Sequence, residues 1–161
     1  MAARVFLGLG SNLAAPESQL KQAFDALASL PDSQVLAHSS LYFSKPLGPQ
    51  DQPDYVNAAV LLSTSLSPTA LLDACQSLEQ QQGRERLRHW GERTLDIDIL
   101  LYDELELTSE RLILPHPQAH LRDFVLLPLQ ELQADLVLHN QGLTHWLGQC
   151  PSFVYHSRKL D

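Results

Sequence analysis

The stretch RERLRHWGERTLDIDIL, residues 84–100, brings two kinds of chemistry together. Asp96 and Asp98 lie two positions apart in a run rich in isoleucine and leucine. A strand turns alternate side chains to opposite faces, so both carboxylates project one way while Ile97 and Ile99 project the other. Two hard oxygen donors on one rigid strand suit Mg²⁺, which takes one or two carboxylates, keeps several waters and completes its shell with substrate phosphates. A bridged pair of ions would sit ~3.5–4 Å apart. Taken alone, an Asp-x-Asp pattern is more simply the polar face of a half-exposed strand. Arg84, Arg86, Arg88 and Arg93 change that reading, being four of the eight arginines in the chain. Guanidinium forks match phosphate oxygens bidentately and neutralise charge during phosphoryl transfer. Surface ion pairs with Glu79, Glu85 and Glu92 are the alternative, but at ~0–1 kcal/mol each they give little reason to cluster. Arginines for a polyphosphate and aspartates for its magnesium ions account for both halves together.

Other positions carry weaker signals. Tyr55 and Asn57 share a strand face by their spacing, offering a ring to stack on and an amide with donors and acceptors; alone they read as ordinary strand residues. His116 sits between two prolines in LPHPQAHLRDF, with Arg122 and Phe124 following, and a lone histidine is more often structural than catalytic. Gly8-Leu9-Gly10-Ser11-Asn12 lacks the Gly-Lys-Ser/Thr ending of a phosphate loop, and the third glycine of a dinucleotide fingerprint would fall at Leu13. A strand-to-helix turn is the expectation there.

These residues need elements to hold them. Val5, Phe6, Leu7 and Leu9 predict a buried strand, and Leu20, Ala23, Phe24, Leu27 and Leu30 a helix starting near Pro16. Residues 34–43 read as a strand. Residues 44–54 carry three prolines and read as a long loop. Extended character returns in YVNAAVLLSTSL. Ser67-Pro68 opens a second helix with Leu71, Leu72, Cys75 and Leu78 inward, stopped by Gly83. LDIDILLY is a fourth strand, and residues 84–93 lack apolar periodicity and read as a loop. The order is β-α-β-β-α-β, an α+β, ferredoxin-like core with two helices on one face of an antiparallel sheet, elaborated by the remaining ~60 residues.

A chain of 161 residues fits a single domain, 1–161, with a real core, since roughly 70% of unfolded-chain surface is removed at this size. A net charge of −8 argues against a general nucleic-acid or membrane-surface partner, which would need a broad basic face. Cys75 and Cys150 suggest neither a disulfide framework nor a zinc site, and a reducing, cytoplasmic setting is expected. The apolar run at the N-terminus is too short for a signal peptide, and no stretch approaches ~20 apolar residues.

Taken together, GLGSNL, GPQDQPDYVNA, LEQQQGRERLRHWGERTLDIDIL and LPHPQAHLRDFVLLPL resemble the 6-hydroxymethyl-7,8-dihydropterin pyrophosphokinases of folate biosynthesis. The resemblance implies a ferredoxin-like α+β fold that moves the β,γ-diphosphate of ATP onto the pterin hydroxymethyl group, releasing AMP, with two Mg²⁺ ions. It implies that Asp96 and Asp98 hold both ions and that Arg84 and Arg93 contact the transferred phosphates. Gln76, Glu79, Ile99, Arg111, His116 and Arg122 would lie along ATP. Tyr55 and Phe124 would sandwich the pterin, Asn57 would bond its edge, Ser44 and Leu47 would present backbone groups to it, and Trp90 would sit on a catalytic loop. His89, Glu92 and Lys45 depart from the family pattern, where arginine, proline and proline are common. The partners expected are small-molecule substrates, and the chain is expected to act as a monomer. A ferredoxin-like regulatory module that binds a nucleotide without turning it over is the rival reading; it could use the arginines but has no need of the aspartate pair. An RRM-like RNA binder would need an RNP1 pattern that is absent here.

Overall fold

The structure, a computed structural model, describes residues 2–12, 15–46, 48, 50–82 and 94–160. The first apolar run forms strand β1 (Ala3–Ser11). Its alternation places Val5, Leu7 and Leu9 in one hydrophobic cluster and Phe6 in another on the opposite face. Gly8 and Gly10 fall inside this strand, not in a turn. Each is paired on both sides, so neighbouring strands satisfy their backbone groups and no bend is required.

Helix α1 (Pro16–Ala28) starts on Pro16, whose missing N–H costs nothing in a first turn. It buries Leu20, Ala23, Phe24 and Leu27. Helix α2 (Pro68–Gln81) is capped by Ser67, whose hydroxyl accepts the Ala70 N–H at 3.2 Å, and it buries Leu71, Leu72, Cys75 and Leu78. Both helices pack on the face that carries Val5, Leu7 and Leu9. Leucines as fully buried as Leu20, Leu27 and Leu71 contribute roughly 1.5–3 kcal/mol each. Gly83 and the expected loop 84–93 lie outside the described residues.

The strand expected over 34–43 is two strands, β2 (Ser33–His38) and β3 (Leu41–Ser44). The break has a local cause. Ser39 donates its N–H to the Ala59 carbonyl while its hydroxyl accepts the Ala59 N–H at 2.8 Å, so a side chain replaces a main-chain acceptor. Past the break, the Ser40 N–H and the Tyr42 hydroxyl both donate to the carboxylate of Glu131. Strand β4 (Tyr55–Thr64) pairs antiparallel with β1, β2 and β3. Strand β5 (Asp96–Tyr102) forms the far edge against β1. The core order β1-α1-β2/β3-β4-α2-β5 is the ferredoxin-like βαββαβ arrangement.

The C-terminal elaboration supplies the hairpin of β6 (Leu107–Thr108) and β7 (Ile113–Leu114), helix α3 (Asp123–Leu132), a second small hairpin of β8 (Val137–Leu138) and β9 (Gln141–Gly142), and helix α4 (Leu143–Leu147). Strand β10 (Val154–Arg158) closes it by joining the sheet edge at β3, giving the order β10-β3-β4-β1-β5. Leu126 and Leu129 of α3 pack with Phe6, Ala59, Leu61, Leu100 and Leu101 on the second face. The remainder of that face is a cleft.

Candidate active site

Strand register builds the floor of the cleft. Gly10 lies between Asn57 of β4 and Asp96 of β5, and Gly8 lies between Ala59 and Asp98. Alternation turns all of these to the same face. The two glycines leave a bare strip between an amide on one side and two carboxylates on the other. The strip is tight: a Cβ at Gly10 would stand 3.1 Å from Asn57 Oδ1, and one at Gly8 would stand 3.2 Å from Leu100 Cδ1.

Around this floor is a cleft of about 630 Å³. Its lining includes Ser44, Tyr55 and Asn57 from β3 and β4, and Asp96, Asp98 and Ile99 from β5. Gln76 and Glu79 come from α2, and Arg111, His116, Arg122 and Phe124 come from the C-terminal elaboration. All described residues that the sequence nominated for a site are therefore in one place. Ile99 is 2% exposed and its side chain belongs to the core under α1 and α2, so what it presents to the cleft is main chain. Leu47, Arg84, Arg86, Arg88, Trp90 and Arg93 lie outside the described residues.

On the β3–β4 side, Asn57 is buried and its Nδ2 donates to Ser44 Oγ at 2.7 Å. The Tyr42 carbonyl, which can only accept, lies 3.4 Å from the same nitrogen. The NH₂ end of the amide is thus turned into the sheet, and Oδ1 faces the glycine strip. Phe124 meets Phe153 edge-on, with centroids 6.0 Å apart, and the Arg122 guanidinium lies 6.0 Å from the Phe124 ring centre.

On the β5 side, the Glu79 carboxylate accepts the Ile97 N–H at 2.7 Å, covering main chain at the sheet edge. Burial, helped by Glu79 and Asp98, pushes the Cys75 thiol up to about 12, so it is no nucleophile. Arg111 donates to Asp73 at 2.5 Å and to Gln76 at 3.2 Å. Burial lowers the Arg122 pKa and Asp98 opposes that shift; the guanidinium remains a cation and donates to the side-chain oxygen of Gln118.

His116 is a strongly perturbed group of the cleft. Burial first, then Arg122 and His139, bring its pKa down to about 4. Its Nδ1 accepts the Gln118 N–H at 3.2 Å, which puts the proton of the neutral ring on Nε2. The backbone is held by its N–H to the Leu100 carbonyl and by His139 Nε2 donating to its own carbonyl at 2.8 Å.

Among the described residues no three His, Cys, Asp or Glu side chains form a ready-made metal cage. Asp96 and Asp98 supply a partial shell of hard oxygens, which fits a small divalent cation that completes its shell with phosphate and water. Reading the sequence did not single out Gly8 and Gly10 as a floor, or Gln118 as the group orienting both His116 and Arg122. The glycines had a usable signal: two bare positions, two residues apart, in an otherwise apolar strand.

Comparison with known proteins finds relatives along most of the chain. A family model, 7,8-dihydro-6-hydroxymethylpterin-pyrophosphokinase (HPPK), matches residues 6–134. A 2-amino-4-hydroxy-6-hydroxymethyldihydropteridine pyrophosphokinase of Haemophilus influenzae is 54% identical over 138 residues, 86% of each chain. One of the same name from Pseudomonas aeruginosa is 49% identical over 152 residues, 94% of each chain. The fold is similar to the crystal structure of an HPPK-DHPS in complex with substrates, with TM-score 0.71 at 12% identity. That match covers 91% of this chain but only 43% of the solved one.

Proposed function

The chain belongs to the 7,8-dihydro-6-hydroxymethylpterin-pyrophosphokinase family, and we propose that its cleft transfers diphosphate from ATP to 6-hydroxymethyl-7,8-dihydropterin, a step of folate biosynthesis. The observation that carries this reading is the row Asn57–Gly10–Asp96 across three strands. It sets an aromatic, amide-bearing pocket and a carboxylate pair on opposite sides of a strip with no side chains. A flat heterocycle and a polyphosphate can then meet over the glycines.

The pterin hydroxymethyl oxygen attacks the β-phosphorus of ATP, the bond from that phosphorus to the α,β-bridging oxygen breaks, AMP leaves and the hydroxyl proton passes to solvent. Such transfer needs in-line positioning and charge neutralisation more than a covalent intermediate. Asp96 and Asp98 would hold two Mg²⁺ ions, which when bound neutralise phosphate charge and align the triphosphate. Tyr55 and Phe124 stack on the pterin, and Asn57 Oδ1 accepts from its edge. Ser44 and Leu47 offer main-chain groups to the ring, and Trp90 is the substrate-binding residue of the catalytic loop. Neutral His116 donates through Nε2 toward ATP, with Arg122, Arg111, Gln76, Glu79 and the Ile99 main chain alongside. Arg84 and Arg93 neutralise the transferred phosphates.

We further take residues 1–161 as a single pyrophosphokinase domain, since the described strands β1–β5 and β10 share one sheet. Its net charge of −8 fits a cytoplasmic monomer working on small molecules without a nucleic-acid or membrane partner. No helix among the described residues is long and apolar enough to cross a membrane.

Incubation with ATP, magnesium and the pterin, followed by nucleotide separation, tests the reaction. Equal amounts of AMP and pterin diphosphate are expected. Stoichiometric ADP with a pterin monophosphate would refute it, and nucleotide binding without turnover would favour the regulatory module.

A further inference from the structure

Residues 153–155 make three attachments, and each lands one position away from a residue on the aromatic side of the cleft. The first is at Asp123. Its Oδ2 accepts the N–H groups of both Phe153 and Val154, each at 2.9 Å, and Phe124 follows it directly. The second is at Lys45, whose N–H donates to the Phe153 carbonyl at 3.0 Å and which follows Ser44. The third is at Asp54, which accepts the Tyr155 hydroxyl at 2.7 Å and precedes Tyr55.

The sheet explains how so short a segment reaches all three. Val154 pairs with Ser44 and His156 with Phe43, leaving Tyr155 as the extra residue of a β-bulge. A bulge re-aims a side chain, here toward the loop before β4. Lys45 Nζ lies 3.6 Å from Asp54 and 5.1 Å from the centre of the Tyr155 ring, so the three side chains form one surface group. Phe153 also contacts Phe124 ring to ring. Asp123 is itself 5% exposed, so its two hydrogen bonds are shielded from water.

From this we infer that residues 153–155 are a strap that positions Ser44, Tyr55 and Phe124 together and so sets affinity for the pterin without touching it. The inference rests on the pterin reading above. It adds a device beyond the 6–134 stretch that the family model matches. Asp123 and Tyr155 are positioning residues in it. Neither attachment bonds to β5, to α2 or to a side chain proposed for ATP. Arg122, one position before Asp123 and 6.0 Å from the Phe124 ring centre, is where the ATP side adjoins the strap, so the larger effect falls on the pterin side.

The test uses the full chain with Asp123→Ala, Asp123→Asn and Tyr155→Phe. Pterin affinity is read by titration calorimetry with α,β-methylene-ATP bound, and KM for pterin and for ATP by AMP release. Asp123→Ala is expected to raise pterin Kd and KM at least fivefold while ATP KM stays within twofold. Asp123→Asn, which keeps an acceptor oxygen, should recover most of the loss, and Tyr155→Phe should cost about threefold. Tyr155 is 56% exposed, so its variant keeps the test decisive if Asp123→Ala does not fold. Pterin and ATP constants that move together, or pterin constants that do not move in folded variants, overturn the strap. A wild type that binds pterin but makes no AMP sinks the reaction and leaves calorimetry to decide the strap. One that binds no pterin sinks the strap as well.

Discussion

Asn57 is held by Ser44 across 2.7 Å, and that one hydrogen bond decides which end of the amide a ligand meets. With Nδ2 committed to the sheet, the cleft is offered an acceptor, Oδ1, which selects ligands that bring a donor edge. Asn57→Ala removes that acceptor and leaves the Ser44 hydroxyl short of a buried partner. Pterin affinity should fall by roughly 1–3 kcal/mol, the cost of a buried group left unpaired, with ATP affinity little changed. Titration calorimetry reads both; equal losses for the two ligands would show a general distortion of the sheet.

The glycine floor gives a paired prediction. At Gly10 an added Cβ would press on Asn57 Oδ1 at 3.1 Å, the atom assigned to the pterin. At Gly8 the neighbour is the end of the Leu100 side chain at 3.2 Å, which can turn aside by a few tenths of an ångström. Gly10→Ala should therefore raise pterin KM about tenfold or more, corresponding to ~1.4 kcal/mol. Gly8→Ala should cost less for pterin and act chiefly where a triphosphate crosses the strip. Steady-state kinetics that rank the two variants the other way for pterin would place the ring elsewhere.

The carboxylate pair predicts a different signature. Asp96→Asn and Asp98→Asn each remove a charge proposed to bind metal, from side chains that are half-buried and exposed, respectively, so the fold should survive while kcat falls by orders of magnitude. The magnesium concentration needed for half-maximal rate should rise in whichever variant retains measurable turnover. Circular dichroism melts alongside magnesium titrations check this. Near-normal activity in both variants would remove the metal assignment.

Part of this site was legible in the sequence through local periodicity, whereas Ser44, Gln76, Glu79, Ile99 and Arg111 were named for it only through the family resemblance. The period of two put Asp96 with Asp98 and Tyr55 with Asn57, and the helical spacing of Leu71, Leu72, Cys75 and Leu78 turned α2 inward. What escaped were relationships between distant segments. Gly8 and Gly10 look like turn residues until Asn57 and Asp96 are known to flank them. The break at Ser39 depends on Ala59, twenty residues on. The Asp123 clamp on Phe153 and Val154 joins positions 30 and 31 residues apart, with no local pattern to announce it. Periodicity reports which way a side chain faces; pairing partners come from the whole fold.

His116 makes stability depend on pH in a stated direction. Its pKa is about 4 when folded and 6.5 in the unfolded chain, so between those values the unfolded state binds a proton that the folded state refuses. Stability from this group is fully present above pH 6.5 and is lost as pH falls toward 4. Discounted for partial exposure, the loss between pH 7 and pH 5 is roughly 1–2 kcal/mol. Replacing the imidazole by an amide removes the titration, so His116→Gln should flatten this part of the profile whatever its effect at pH 7. Urea unfolding of both proteins at pH 7, 6 and 5 measures the difference. The same neutrality bears on catalysis: with the proton on Nε2 throughout this range, kcat/KM should show no inflection near pH 6.5 that His116→Gln abolishes. A wild-type stability curve parallel to that of His116→Gln would mean that the imidazole is solvated like a surface histidine, and its assignment as a fixed neutral donor would fall with it.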